Sequence, residues 1–393
     1  MAGRGPIFHG FIQHFSDKAG GLTVDNFEGD VVDHYFISHA HSDHFKGLEQ
    51  FQDILNDIRN NSVIYCTEET GSLILSIVGF DRDILAPKFR YKGANCSFTI
   101  KHRSSGFDTK VQFVPANHIP GSVMILLEDS QCKALYTGDF RFESYERSQV
   151  TINMETFLNN TNNINFLYLD VKFLDLLEEE RCIYYPGKRL ILEELEEVIH
   201  NETRKDGEFD DVHIDCSVLG WQEVAAYLAI QFDSPVGVSE EDPKKKLHKR
   251  IFDLLQYRTR LDHPDNSFVH VYSGDECPSC TNRTMRIRPS VMWTFHCEEE
   301  YNFRDRDTWL LEKDPEENPG FFNALYSFHC SDYELHRFMD KVKFSSRAEV
   351  CPINRPAGVE EMSNSEVKGN LRRLFRKYFR QQQDYGYKRR RFS

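Results

Sequence analysis

Three histidines and one aspartate fall within six residues, at His39, His41, Asp43 and His44, directly after the apolar residues 35–37. Imidazole nitrogens and carboxylate oxygens are ligands that zinc and related divalent metals take in proteins. If the strand continues, His39 and His41 share one face and can chelate one ion. Asp43 and His44, on the turn that follows, then reach a second ion. The spacing therefore predicts a segment that binds two metals.

Ligand-type side chains recur at the ends of later apolar segments. His118 lies in a loop between two prolines, Asp139 closes the segment of residues 134–139, and His329 stands where a predicted strand runs into a helix. A glycine before Asp139 permits a close approach of the backbone, so this carboxylate can bridge two cations. The predicted ligands are His39, His41 and His118 for one ion, Asp43, His44 and His329 for the other, and Asp139 between the two.

A shared pair of divalent ions favours hydrolysis. Such a pair lowers the pKa of water and stabilises both the attacking and the leaving oxygen of a displacement at phosphorus or carbon. Asp170, another strand-end carboxylate, is expected to fix the tautomer of a ligating histidine. Zinc is the favoured metal, with manganese, magnesium and iron as alternatives, because His/Asp sites accept several of them. The residues predicted to be catalytic are Asp43, Asp139, Asp170 and His329.

The elements that must position these residues alternate between strands and helices. Short strands are predicted at residues 22–25, 63–66, 98–100, 111–114, 124–127, 134–136, 166–169 and 350–354, and helices at residues 47–59 and 188–202. The pattern predicts an α/β fold. The predicted domains are a first part at residues 1–178, a second α/β unit at 179–320, a return to the first at 321–366 and a basic C-terminal helix and tail at 367–393.

The net charge is −14, but it is unevenly distributed. Phosphate binding requires Lys and Arg, so an acidic chain counts against nucleic acid. Residues 368–393, however, carry ten lysines and arginines against one aspartate. This segment is either a docked helix with a solvated basic face or a phosphate-binding face that includes Arg372 and Arg376. Both interpretations are open, and residues 388–391 also fit a nuclear signal.

Apolar segments are short, and the cysteines are expected to be reduced. No uninterrupted apolar run approaches the roughly 20 residues that span a bilayer, and residues 1–21 lack the apolar core of a secretory signal. A soluble protein without a membrane partner is therefore expected. Cys277 and Cys280 form a Cys-x-x-Cys pair that could bind a structural zinc together with His296 and Cys297. The alternative is that these cysteines are buried free thiols.

Five short segments carry a resemblance to a known family. They are FISHAHSDH at residues 36–44, ANHIPGSVM at 116–124, LYTGDFR at 135–141, LYLD at 167–170 and SFHCS at 327–331. The set resembles the metallo-β-lactamase fold and its β-CASP nuclease branch, most closely the Apollo- and Artemis-type DNA cross-link repair nucleases. Residues 352–373 are most similar to the Apollo type. The resemblance implies an αββα sandwich with an inserted β-CASP α/β domain.

The resemblance also implies the substrate. It indicates a metal-dependent DNA nuclease, a 5′-to-3′ exonuclease on DNA ends, acting in end processing, interstrand cross-link repair or telomere maintenance. Ile353 stands where RNA-processing members carry a histidine, which favours DNA. The turn of residues 217–223 is one residue longer than its counterpart in the family and lacks the lysine, so a 5′-phosphate requirement stays open. The predicted substrate contacts are Lys172, Ser217, His270, Ile353, Arg372 and Arg376.

Other functions are compatible with parts of this pattern. They are a structure-selective DNA endonuclease of the Artemis type, an RNA-processing β-CASP endonuclease, a small-ester or thioester hydrolase, and a catalytically weak repair scaffold. The complete ligand set argues against the scaffold. The expected partners are single-stranded or duplex DNA ends and repair or telomere proteins. A monomer in the nucleus is expected.

Overall fold

The computed structural model describes residues 21–28, 31–56, 61–77, 79–101, 108–143, 148–174, 185–204, 209–255, 259–273, 277–295, 306–312, 320–354, 356, 366–367, 369–371, 373–375 and 378. The chain forms two compact units. The first comprises Met1–Leu75, Gly79–Ile183 and Phe328–Ser393, and the second comprises Ser76–Val78 and Tyr184–Ser327.

The first unit begins with a four-stranded parallel sheet. Its elements in chain order are β1 (Leu22–Val24), β2 (His34–Phe36), α1 (Leu48–Asn56), β3 (Val63–Cys66), α2 (Glu68–Ile74), α3 (Arg82–Leu85), a 3-10 turn (Ala86–Lys88) and β4 (Phe89–Tyr91). Side chains alternate between the two faces of β2. The ring of Tyr35 lies 5.0 Å from that of Phe51 on α1, whereas Phe36 meets Phe113 on the opposite side at 6.4 Å.

A second sheet follows directly along the chain. Its first strands are β5 (Ser97–Lys101), β6 (Asp108–Pro115), β7 (Val123–Glu128) and β8 (Lys133–Tyr136), which pair antiparallel. Helix α4 (Gln149–Asn160) leads to β9 (Ile164–Leu169), which pairs in parallel with β8. Because β8 and β9 are parallel, the residues that follow them emerge at the same edge of the sheet.

The second unit is built around a seven-stranded sheet. Its elements are α5 (Lys188–Arg204), β10 (Asp211–Asp215), α6 (Gln222–Gln231), β11 (Val236–Val238), α7 (Lys245–Leu254), β12 (Leu261–Asp262), a 3-10 turn (Pro264–Asn266), β13 (Val269–Tyr272), β14 (Thr284–Pro289), 3-10 turns at Met292–Phe295 and Arg306–Thr308, β15 (Leu310–Glu312) and β16 (Phe321–Ala324). The strand order is β12-β11-β13-β10-β14-β16-β15, and β15 alone of these described strands runs antiparallel.

The chain re-enters the first unit at Phe328. Residues 321–324 are predicted from the sequence to belong to this return. In the structure they form β16 and are hydrogen-bonded to β14 in the second sheet. Helix α8 (Asp332–Lys341) then begins with a capping box, in which Ser331 and Glu334 satisfy each other's backbone N–H groups. The last strand, β17 (Phe344–Pro352), is longer than the short strand predicted at residues 350–354 and pairs in parallel with β9.

Two buried clusters hold the layers of the first unit together. One includes Phe36 of the four-stranded sheet and Phe113 of the six-stranded sheet, which has the order β17-β9-β8-β7-β6-β5. The other lies on the far face of the larger sheet, against α4, α8 and the helical residues of the C-terminal segment. The buried C-terminal side chains are Val367, Leu371, Phe375 and Tyr378. The layers are therefore helix, sheet, sheet, helix, and the predicted α/β class is confirmed.

Among the described helices, none combines the length and the apolar character needed to cross a bilayer. The described cysteines are free thiols, as expected; they are Cys66, Cys96, Cys132, Cys216, Cys277, Cys280, Cys330 and Cys351.

Gly121 fixes the loop between β6 and β7 against the start of α2. Its φ is +82°, and a Cβ atom added there would lie 2.7 Å from Thr67 Oγ1 and 2.8 Å from the Thr70 nitrogen. Both threonine hydroxyls donate to the Gly121 carbonyl, at 2.8 and 3.1 Å. Only glycine combines this backbone conformation with so close an approach.

We predict that Gly121→Ala destabilises the protein by at least about 1–3 kcal/mol, because the left-handed conformation and the steric contact are both unfavourable for alanine. Gly93→Ala is the matched control, since a Cβ at Gly93 meets nothing within 4 Å. That control should stay within about 1 kcal/mol of the parent. Denaturant unfolding measures both. Equal stabilities of the two variants would contradict the prediction.

Candidate metal centre

The segment that carries His39, His41 and His44 is a loop. Strand β2 ends at Phe36, so the expectation that His39 and His41 share a strand face is wrong. Asp25 explains the break, because its carboxylate accepts hydrogen bonds from the Ser38 nitrogen at 2.7 Å and the Ser38 hydroxyl at 2.6 Å. These bonds replace the sheet ladder and turn the chain inward.

The loop nevertheless brings one predicted ligand group together. His39 Nε2 lies 3.1 Å from His41 Nδ1, which lies 3.0 Å from His118 Nε2. The Asp139 Oδ2 atom is 3.7 Å from both His39 Nε2 and His118 Nε2. One ligand atom from each of the four side chains falls within 4.8 Å of the others, a separation that a single metal ion can span.

The second predicted group lies around the same carboxylate but is divided between its two oxygens. His44 Nε2 lies 3.4 Å from Asp139 Oδ1 and 3.9 Å from Asp43 Oδ2. His329 Nε2 lies 3.7 Å from Asp139 Oδ2. The Asp43 side chain is 62% exposed, in contrast to the buried histidines, so this side of the centre is open to solvent.

The hydrogen bonds of the outer nitrogens test whether these residues fit metal ions. His44 Nδ1 donates to Asp25 Oδ2 at 2.7 Å, His118 Nδ1 to the Phe328 carbonyl at 3.0 Å, and His329 Nδ1 to Asp170 Oδ2 at 2.7 Å. Each ring therefore turns its Nε2 atom toward the centre. Ring nitrogens that face a buried carboxylate form a ligand arrangement for cations, and the acceptors that hold the rings are those expected around metal-bound histidines. The set of His39, His41, His118 and Asp139 fits one divalent ion, and the second ion, at Asp43, His44 and His329, stays a prediction.

Burial and the neighbouring charges set the protonation of this cluster. Burial, together with His44 and other histidines, holds the pKa of His39 well below its ordinary value. Burial also holds the pKa of His118 well below its usual range, with His41 as the next cause. Burial opposes ionisation of Asp139, but His44 and His329 outweigh it and keep its pKa well below the usual value. Neutral imidazoles beside an ionised carboxylate are the forms that bind metal.

His44 differs from its neighbours. Burial acts against its protonation, but the carboxylates of Asp139 and Asp25 outweigh burial and raise the pKa of His44 well above its ordinary value. A metal ion that binds His44 Nε2 must therefore compete with a proton at that atom.

The sequence interpretation did not include two residues that contact the predicted ligands or their partners. Asp25 holds both Ser38 and His44, and its only signal is a carboxylate directly after the short apolar strand β1. Asn354 donates to the Asp170 carboxylate at 2.6 Å, although in the sequence only its neighbour Ile353 was singled out.

A buried ion pair lies behind the loops of His118 and His329. Arg141 is fully buried, and its Nε atom is 3.5 Å from Glu334 Oε2, at the start of α8. Asn117, next to His118, donates to the Arg141 carbonyl at 3.3 Å and to Glu143 at 3.1 Å. Because a lone buried charge is strongly unfavourable, these groups hold the two loops to each other.

The predicted substrate contacts are distributed over several places. Lys172 follows Asp170, and its charge, after His44 and His41, helps to lower the pKa of Asp43 against the opposing effects of desolvation and Asp139. Ile353 is completely buried in the core between the two sheets. Ser217 and His270 belong to the second unit. Arg372 and Arg376 lie outside the described residues, as do residues 388–391.

The second unit holds another group of ligand-type residues. His213 and His270 are paired in register on β10 and β13, with ring centroids 5.1 Å apart. Together with Cys277 and Cys280 they form a set whose ligand atoms lie within 4.8 Å of one another. The partners of the Cys-x-x-Cys pair in the described structure are thus these two histidines, whereas His296 and Cys297 lie outside the described residues.

The two thiols of this group differ in protonation, because the hydrogen bond between them raises the pKa of Cys280 above its ordinary range. A hydrogen bond from Cys280, with further contributions from the histidines, holds the pKa of the Cys277 thiol below its ordinary range. The buried Nδ1 atoms of His213 and His270 have no hydrogen-bond partner within the described residues.

Comparison with known proteins gives relatives along most of the chain. No protein-family model matches it. Artemis from Gallus gallus is 27% identical over 382 residues, which cover 91% of this chain and 49% of that protein. Human Artemis is 25% identical, over 85% of this chain and 47% of its own. The human DNA cross-link repair 1A protein is 30% identical over 158 residues, 39% of this chain and 13% of its own.

The chain thus spans about half the length of the Artemis proteins that it matches. Among solved structures, a protein of unknown function from Enterococcus faecalis V583 shares the fold, with a TM-score of 0.53 and 13% identity, over 86% of this chain and 79% of that one. Motifs, coverage and identity agree: the chain is a homologue of Artemis and of the DNA cross-link repair proteins, as its sequence motifs indicate.

Proposed function

We propose that this chain is a metal-dependent DNA nuclease that hydrolyses phosphodiester bonds in DNA repair. The observation that carries the proposal is the double ligand set around Asp139, in which three outer histidine nitrogens already donate to fixed acceptors. The homology to DNA cross-link repair proteins supplies the substrate. The helix, sheet, sheet, helix order of the first unit supports a metallo-β-lactamase domain, predicted at residues 1–178 and 321–366 but resuming at Phe328, with the second unit, predicted at 179–320, as the inserted β-CASP domain.

Several residues of the first unit have separate roles in the proposed reaction. When bound, two divalent ions would activate water and neutralise the charge that develops on a phosphate in displacement. Asp139 contacts both predicted ligand groups, because its Oδ1 atom faces His44 and its Oδ2 atom faces His39 and His329. Asp170 keeps the proton of His329 on Nδ1, which leaves Nε2 free to ligate. The exposed Asp43 side and the nearby Lys172 charge mark where a phosphodiester would approach.

The finer assignment is 5′-to-3′ exonuclease action on DNA ends. It is supported by the resemblance to the Apollo type, and Ile353, in the position of the histidine of RNA-processing members, supports DNA over RNA. The basic residues 368–393 would offset the acidic body of the protein near phosphate, with Arg372 and Arg376 as contacts. Action in cross-link repair or telomere maintenance, in the nucleus and as a monomer, completes the proposal.

Asp139→Ala is expected to lower the rate of DNA cleavage by more than about 100-fold, because it removes a ligand shared by both groups. Asp53→Ala, at an exposed position on α1, is the matched control and should cleave like the parent. End-labelled DNAs with a 5′-phosphate, a 5′-hydroxyl or a hairpin, with labelled RNA as competitor, give the rate and the polarity in one assay. Undiminished cleavage by purified Asp139→Ala would refute the proposed centre.

We also propose that the cluster of His213, His270, Cys277 and Cys280 holds a structural zinc. Two imidazoles and two thiols are a common ligand set for closed zinc sites. The cluster joins adjacent strands of one sheet to the turn that follows β13, so an ion there would tie the turn to the sheet.

Cys277→Ser should remove one zinc per chain and lower the unfolding temperature of the protein, since the binding energy of a structural zinc contributes to folding. Cys96→Ser provides the control, because Cys96 is a half-buried thiol outside every ligand cluster of the described residues. Elemental analysis and thermal unfolding measure the two effects. An unchanged zinc content in Cys277→Ser would exclude the site.

A further inference from the structure

Asn354 emerges beside Asp170 because two parallel strands end together. Strand β17 pairs with β9 up to the partners Pro352 and Leu169, and the Ile353 nitrogen donates to the Leu169 carbonyl at 3.0 Å. The next residue on each strand is therefore delivered to the same edge of the sheet. On one strand it is Asp170, and on the other, after the buried Ile353, it is Asn354.

The orientation of the Asn354 amide is fixed by its neighbours. Its Oδ1 atom accepts a hydrogen bond from the Val171 nitrogen at 2.8 Å, and a backbone N–H can only donate. The amide nitrogen must then point the other way. It donates to Asp170 Oδ1 at 2.6 Å and lies 3.4 Å from Asp139 Oδ1.

The buried carboxylates of Asp139 and Asp170 thus both lie next to the uncharged amide nitrogen of Asn354. Asp139 and Asp170 are only 3% and 2% exposed, so neither can rely on water for its remaining hydrogen bonds. The two oxygens of Asp170 have separate partners, because Oδ1 accepts from Asn354 and the Lys172 nitrogen while Oδ2 accepts from His329. Removing the amide would leave Asp170 Oδ1 with the Lys172 nitrogen as its remaining donor, which would weaken the restraint on this carboxylate and, through it, on the ring of His329.

We infer that Asn354 is a positioning residue of the metal centre, which orients Asp170 and through it His329, and which restrains the Asp139 oxygen that faces His44. The inference rests on the proposed function in that it requires the two-ion centre, although it does not require that the substrate be DNA. The affected ion is the one assigned to Asp43, His44, Asp139 and His329. The affinity for the ion assigned to His39, His41 and His118 should change little.

The test is a zinc titration of the metal-free chain against a competing chelator. Asn354→Ala should lower the affinity for one of the two ions of the first unit by about 10- to 100-fold, which is the range typical for residues that hydrogen-bond metal ligands. Asn354→Asp should weaken it further, because a third carboxylate replaces the donor. The His213–Cys280 cluster of the second unit serves as an internal reference.

Asn165→Ala is the matched control. This half-buried asparagine on β9 accepts from the Lys133 nitrogen at 2.9 Å and donates to Ser345 at 3.2 Å, so it links the same strands at their other end. Its loss should cost similar stability and leave both ion affinities unchanged. Combination with Asp43→Ala should make the Asn354→Ala effect disappear, whereas combination with His41→Ala should leave it intact.

Parent affinities for both ions in Asn354→Ala and Asn354→Asp would overturn the inference. The inference would also be overturned if the affinities for both ions fell equally and the variant lost as much stability as Asn165→Ala. That result would indicate a purely structural role. A parent chain that binds two ions but cleaves no DNA would refute the nuclease, and the affinities would still decide the role of Asn354.

Discussion

Imidazole rings can crowd around one buried carboxylate only if their outward nitrogens find acceptors elsewhere. In this chain the acceptors are Asp25 for His44, the Phe328 carbonyl for His118 and Asp170 for His329. The acceptors come from the end of a strand, from a loop and from the end of another strand. The centre therefore depends on the placement of those three elements as much as on the histidines. The strand pairing of the first unit is what brings these acceptors to the rings.

The predicted ligands, which the structure brings close to Asp139, could be chosen from the sequence because metals restrict side-chain types and because strand ends concentrate them. His39 to His44, His118, Asp139 and His329 each follow or precede a recognisable apolar segment. Asp25 and Asn354 were not visible, because their roles arise from the spatial neighbourhood alone. Asp25 acts on a loop that follows the neighbouring strand, and Asn354 acts on a carboxylate that a distant strand delivers.

Local structure was predictable to different degrees for physical reasons. The apolar stripe of α1 and the strands of residues 63–66 and 111–114 follow the side-chain periodicity, and the structure has them there. The end of β2 was misjudged because Asp25 takes over the hydrogen bonds of Ser38. The partners of Cys277 and Cys280 were likewise not evident, since His213 and His270 approach through the pairing of strands that are far apart in sequence.

The pairing of β17 with β9 has a further consequence for the order in which the protein is made. The loop with His39 and His41 leaves the ribosome early, whereas β17 and Asn354 follow only after the whole second unit has been synthesised. The six-stranded sheet cannot acquire its outer strand before then. A nascent chain therefore carries an incomplete cluster through most of its synthesis, and the fold itself delays assembly of the candidate metal centre until translation has passed the last strand.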